Sequence, residues 1–316
     1  MRSFLWRWRD RWLRLLRGWH LRGALLLLLT AVAGVGFALA GDSVAVEAQE
    51  EGYSAYADPE RPALSLVLSD AENVKEFQTK FALGDGKIEE ARAAVLRENE
   101  ALAQASAESD QIVRANEGLA AEEIEEKIAA SDYHEKVRAA IAETKSTTES
   151  MLPEDRRPEL APWVDAKIFQ EAQEAPEIAV AGKGRGVSCR VYATQYRGYT
   201  RNEVALPHRS LKFKGGYTVG IRRGNHGTKA RVKEVGPWNT YDNYWNKDRT
   251  MWRNLRRCTP EAQAAYFDNF NRGRDEFGRK VLNPAGIDLT PRVASRLGLK
   301  RYQNGWVHVR FPWVRR

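Results

Sequence analysis

The chain has 316 residues and a formal net charge of +8, a length that suits one large domain or two ordinary ones. Two cysteines and five scattered histidines (His20, His134, His208, His226 and His308) exclude a zinc centre, because none has ligand spacing with either cysteine. The overall charge hides three blocks: residues 1–40 are net +6, residues 41–182 hold 14 basic and 32 acidic residues, and residues 183–316 hold 29 basic and 9 acidic residues.

The first block predicts export. Seven arginines from Arg2 to Arg22 precede an uncharged run over 23–40 that ends Ala38-Leu39-Ala40 before Gly41, a small-x-small cleavage pattern. As a helix the run would span roughly 27 Å, just short of a hydrocarbon core of about 30 Å. Flanking positive charge keeps the N-terminus in the cytoplasm and sends the rest outward. Whether the segment is a cleaved signal or a membrane anchor stays open at this point.

Residues 41–68 are acidic without hydrophobic period and read as a flexible linker. Ser69-Asp70-Ala71-Glu72 is a capping-box pattern that opens an acidic helical region over 69–150. Ile88, Val95 and Leu102 recur every seven residues, and Ile124, Ile128, Val137 and Ile141 continue a helical stripe. This thin, alanine-rich seam suits a weak coiled coil, a helical hairpin or a spacer lying along the wall, and self-association of the helices is among the expectations. Pro153, Pro158, Pro162 and Pro176, followed by the glycine run at 182–186, predict a second linker over 151–186.

Residues 187–316 read as β structure. Val187–Gln195, Thr218–Arg223, Thr228–Glu234 and Trp306–Phe311 alternate with period two, and Gly224-Asn225-His226-Gly227 is a hairpin turn. Thr290-Pro291 opens a short helix and Gly298 closes it. Several short strands and one small helix in about 130 residues suggest a small barrel. In an exported chain Cys189 and Cys258 read as a disulfide. No metal and no cofactor are expected.

Four segments in order carry a resemblance. His208-Arg209-Ser210-Leu211-Lys212-Phe213, Arg231-Val232-Lys233-Glu234-Val235-Gly236-Pro237, Ile287-Asp288-Leu289-Thr290 and the closing strand Trp306–Phe311 resemble the rare lipoprotein A-like domains, which are distantly expansin-like. The resemblance covers about residues 187–314, with a long insertion between Pro237 and Ala285. It implies a six-stranded double-psi β-barrel, an all-β domain that follows the membrane or signal helix and the α-helical middle read above, and it leaves that helical middle unexplained. It further implies action on cell-wall polysaccharide, including cleavage of peptidoglycan glycan strands. The family's acid position holds Glu234 here in place of Asp, its histidine corresponds to His208, and its second carboxylate to Asp288.

Glu234 at a strand end, beside a Gly-Pro turn, could serve as the general acid of a lytic transglycosylase, which needs one protonatable carboxyl. Trp238, Tyr241, Asp242, Tyr244 and Trp245, set among turn-forming residues, are the candidates for holding a sugar. Trp252, Tyr266 and Phe267 suit a second small core equally well. The expected partner is peptidoglycan or another anionic wall glycan, with the N-terminal helix in the membrane. A non-catalytic wall-binding module on a helical stalk is the competing expectation. Nucleic-acid binding through the basic third is disfavoured by export.

Overall fold

The computed structural model describes residues 54–174, 186–198 and 200–314. The expected signal or anchor at 1–40 lies outside these residues, as does most of the glycine run at 182–186. Among the described residues no helix is long and apolar enough to cross a membrane.

Among the described residues six α-helices come first: α1 (Ala63–Leu68), α2 (Ala71–Lys80), α3 (Asp85–Ala115), α4 (Ala121–Ala129), α5 (Tyr133–Met151) and α6 (Leu160–Glu174). Asp70 caps α2 by accepting from the backbone N–H groups of Glu72 and Asn73. The heptad stripe behaves as expected: α3 buries Ile88, Val95 and Leu102 against α5, which buries Val137 and Ile141. Two expected linkers are corrected. Residues 54–68 pack into the protein, with all six residues of α1 buried. A run that is apolar on every side has no helical period to read, yet it suits a helix surrounded by protein. Residues 154–174 are helical as well, a 3-10 turn (Glu154–Glu159) leading into α6, which buries Leu160, Trp163, Val164 and Ile168. Pro162 sits in the first turn of α6, where a missing N–H breaks no helical hydrogen bond.

The remaining strands are β1 (Val187–Gln195), β2 (Glu203–Leu206), β3 (Thr218–Arg223), β4 (His226–Val235), β5 (Ala285–Leu289) and β6 (Gly305–Phe311). They close into a six-stranded barrel in the order β1-β5-β2-β4-β3-β6. The pairs β1–β5 and β2–β4 are parallel and the other four antiparallel. Three further helices, α7 (Arg209–Lys214), α8 (Glu261–Asp268) and α9 (Pro291–Arg296), lie in the connections. Alternation sends Cys189, Val191, Val219, Ile221, Val307 and Val309 into the barrel core. The expected disulfide between Cys189 and Cys258 is formed, tying β1 to the insertion.

A second core joins the helices to the outside of the barrel. Tyr192 on β1, Trp238, Tyr266 and Leu282 cluster with Leu66, Phe77, Leu102, Val164 and their neighbours. Opposite charges complete this seam: Arg209 pairs with Glu117, Arg274 with Glu125, Arg279 with Asp110 and Lys280 with Asp58. The helical region is therefore a layer packed on the barrel, which corrects the expectation of a separate stalk. The acidic middle and the basic third attract each other directly.

Candidate functional site

Where the helical layer meets the barrel, a cleft with about 130 Å³ of free space opens between α3 and the ends of β1 and β5. The barrel contributes Thr194, Gln195, Tyr196 and Asp288, the insertion contributes Trp238, Arg279 and Asn283, and α3 contributes Asn99, Leu102 and Asp110. Thr194 and Asp288 are register partners on parallel strands, so their side chains share a face, and the Thr194 hydroxyl donates to the Asp288 carboxylate. Burial pushes the Asp288 carboxyl up to about 7, against the opposing pull of the Thr194 hydrogen bond. At neutral pH a large fraction of this group carries its proton.

Asp288 and Glu234 both pair in register with Ala205 on β2. They stand in one row across the sheet, with backbones about 10 Å apart. Their surroundings differ. Glu234 is buried and accepts from the Lys212 ammonium at 2.6 Å and from the Val235 N–H at 3.1 Å. This carboxylate is occupied as an acceptor, and it does not line the cleft. Beside Asp288 is Tyr196, whose hydroxyl donates to the fully buried Glu203 at 3.2 Å. Burial and the nearby carboxylates raise the Tyr196 hydroxyl well above its ordinary value.

Trp238 forms one wall. Its backbone is left-handed, with φ +60°, a strained conformation for a bulky residue. It is held there by the Arg279 guanidinium, which donates to the Trp238 carbonyl at 2.8 Å and lies 5.5 Å from the ring centroid. The indole N–H donates to Asn283 at 3.2 Å.

The other expected site residues are placed elsewhere. His208 caps α7, with Nδ1 2.8 Å from the Ser210 hydroxyl and Nε2 3.4 Å from the Thr250 hydroxyl. Burial and Lys214 lower its pKa. Tyr241 is 40% exposed beside His208, its hydroxyl accepting from Arg209. Asp242, Tyr244 and Trp245 are inside the protein. Asp242 pairs with the buried Arg249 at 2.5 Å and accepts from the Glu261 N–H. Tyr244 donates to the Gly286 carbonyl, and Trp245 stacks on Phe311 in the barrel core. An aromatic beside turn residues can face solvent or plug a core, and local sequence does not distinguish the two. Thr194 and Tyr196 carry only a weak signal, the polar outward phase at the end of β1. The contribution of α3 to the cleft has none.

Among the described residues no group of three His, Cys, Asp or Glu side chains is arranged to hold a metal ion. Several buried carboxyls titrate high instead. Desolvation raises Glu98 and Glu276 to about 7 and Glu261 to about 9, from an ordinary value of 4.5. A raised folded pKa stabilises the protein fully below the unfolded value, and that stability is lost as pH rises through the folded value. His208 opposes this only below its ordinary range. The midpoint of thermal unfolding should therefore be at least about 3 °C higher at pH 5.5 than at pH 8, given about 2 °C per kcal/mol for a chain longer than about 250 residues. Scanning calorimetry across that interval checks it, and Glu98→Gln should flatten part of the slope. A midpoint that rises with pH would contradict the assignment.

Comparison with curated proteins gives no match, and comparison with solved structures gives none either. Residues 187–310, the barrel with its insertion, match the family model described as Domain of unknown function (DUF8814).

Proposed function

We propose that this is an extracytoplasmic, wall-associated protein whose barrel cleaves peptidoglycan glycan strands, with Asp288 as the general acid. The observation that carries the reading is a carboxyl raised to about 7 by burial at the edge of a cleft walled by Trp238 and amide side chains. The two parallel pairs within a closed six-stranded barrel support the double-psi reading, since parallel neighbours need crossovers rather than hairpins. The disulfide fits an oxidising compartment.

In this reading a sugar ring lies against Trp238, with its hydroxyls on Asn283 and Gln195. Protonated Asp288 delivers its proton to the glycosidic oxygen as the bond to the anomeric carbon breaks. The 6-hydroxyl of the same sugar attacks that carbon and closes an anhydro ring, and its proton returns to the Asp288 carboxylate. One carboxyl suffices because the nucleophile belongs to the substrate, whereas a hydrolase would ordinarily need a second. Glu234 has a supporting part: through Lys212 it anchors α7 to the end of β4.

Incubating the full chain with purified sacculi and identifying products by mass tests this. Anhydro-sugar ends are expected, with a rate that falls as pH rises through 7. Asp288→Asn should lower turnover by about 10² to 10⁴, the usual worth of a general acid, while leaving sacculus binding in place. Unchanged turnover in folded Asp288→Asn would remove it as the acid.

A binding-only reading is favoured by one feature, the position of α3 over the cleft, which obstructs a long glycan crossing it. Intact sacculi carrying bound protein would support that reading.

A further inference from the structure

The outer face of the barrel away from the cleft has a different character. On β3, β4 and β6 the inward positions Val219, Ile221, Ala230, Val232, Val307 and Val309 fill the core. The alternate positions on β3 and β4 are Gly220, Arg222, Gly227, Lys229, Arg231 and Lys233, joined on β6 by His308 and Arg310. Register places Gly220 between Arg310 and Lys229, and Arg222 between His308 and Gly227. Gly220 leaves a gap in its row, with Arg310 and Lys229 on either side about 10 Å apart at the backbone, while the Arg222 side chain lies over Gly227. Along β4, Lys229, Arg231 and Lys233 repeat every ~6.8 Å.

Arg222, Lys229, Arg231 and Lys233 are exposed, and none joins an ion pair among the described residues. The carboxylate nearest in register, Glu203 beside Arg231, is fully buried and accepts from Tyr196 and Thr200. These four cations lack the compensation that the helical layer supplies at the seam. Tyr217 and Trp313, packed edge to face at 4.8 Å, stand at the Thr218 end of the strands, partly buried on the barrel core and partly exposed. Together they offer an apolar surface to a pyranose ring beside regularly spaced positive charge.

We propose that the outer face of β6, β3 and β4 docks an anionic polysaccharide, one bearing carboxylate or phosphate groups along a sugar backbone. A linear track of regularly spaced cations, with a partly exposed aromatic pair at one end, fits a chain of repeating negative charge better than a flat bilayer. It would hold the protein on an anionic matrix whether or not the Asp288 cleft cleaves anything.

The test reads binding alone. Immobilised polygalacturonate is the probe and dextran its neutral counterpart, with the full chain as analyte. Replacing Arg222, Lys229 and Arg231 together by Glu should weaken binding at least tenfold. An equal charge change placed elsewhere, Arg256→Glu with Arg292→Glu and Lys300→Glu, should alter it less than twofold. Raising ionic strength should weaken the parent chain as screening shortens to a few ångströms. Equal loss in the two triple variants would show that net charge, not this face, is responsible, and no loss in either would also overturn the proposal. Tighter binding to phosphatidylglycerol vesicles or duplex DNA than to polygalacturonate would reassign the face. Should the first triple variant fail to fold by circular dichroism, Arg222→Gln with Lys229→Gln carries the same comparison, with at least threefold weakening expected.

Discussion

Replacing Arg279 by Met should destabilise the full chain by about 3–5 kcal/mol, the usual consequence of removing one partner from a buried ionic cluster. The guanidinium is 3% exposed, reaches Asp275 at 2.6 Å and also donates to Asp110 on α3. It donates to the Ser109 hydroxyl at 3.3 Å and to the Trp238 carbonyl at 2.8 Å. The Met variant keeps much of the volume but leaves the fully buried Asp275 carboxylate with only the N–H groups of Phe277 and residue 279. It also releases the strained Trp238 backbone and cuts a tie between helical layer and barrel. Arg279→Lys should recover only part of the loss, because an ammonium cannot reproduce a planar fork serving several acceptors. Urea unfolding of the three proteins checks this. A Met variant within 1 kcal/mol of the parent would show that apolar packing alone holds the seam.

Reducing the disulfide should cost about 4 kcal/mol, from the chain entropy released when a closed loop of this length opens. The cysteines are 69 residues apart in sequence and both fully buried. The enclosed segment holds β2, β3, β4 and the first half of the insertion. Its closure therefore restricts most of the barrel's unfolded chain. Cys258→Ala and the double variant Cys189→Ala with Cys258→Ala should be destabilised by similar amounts, since either removes the same cross-link. Strong additivity would instead point to local packing, as would a loss below 1 kcal/mol on reduction. Urea midpoints with and without reductant, in each variant, distinguish these outcomes.

The seam explains why the charge blocks should not be read as independent surfaces. Four ion pairs join the helical layer and its loops to α7 and the insertion, while the β6–β3–β4 face stays outside them. The large positive balance of residues 183–316 is thus partly consumed inside the fold. What a partner would meet is a smaller, directional patch.

Much of the local structure follows from sequence. Alternation in Val187–Gln195, Thr218–Arg223 and Trp306–Phe311 needs only a half-buried strand to be legible, and each is a barrel strand. Thr290-Pro291 begins a helix because proline fits the first turn and resists earlier continuation. Two cysteines in a chain read as exported have one intramolecular pairing, and it is formed. The heptad positions of α3 are buried as their spacing requires.

The site is different, because its parts are distant in sequence and each is ambiguous alone. Tyr241 and Trp245 have similar neighbours, yet one is exposed and the other stacks within the barrel; what faces each ring is settled by strands far along the chain. Glu234 and Asp288 are both single carboxylates on strands. Lys212 arrives beside the first, while the second accepts from Thr194 at the edge of the cleft, which gives them different surroundings. The short apolar run Ala63–Leu68 and the proline-bearing segment before α6 become helices only because the barrel's outer face buries them. Strand periods, caps and charge balance were therefore determined by sequence, since they depend on neighbours a few residues away. The cleft, the raised pKa of Asp288 and the layer that covers them were decided by tertiary structure, because burial depends on which distant surfaces meet.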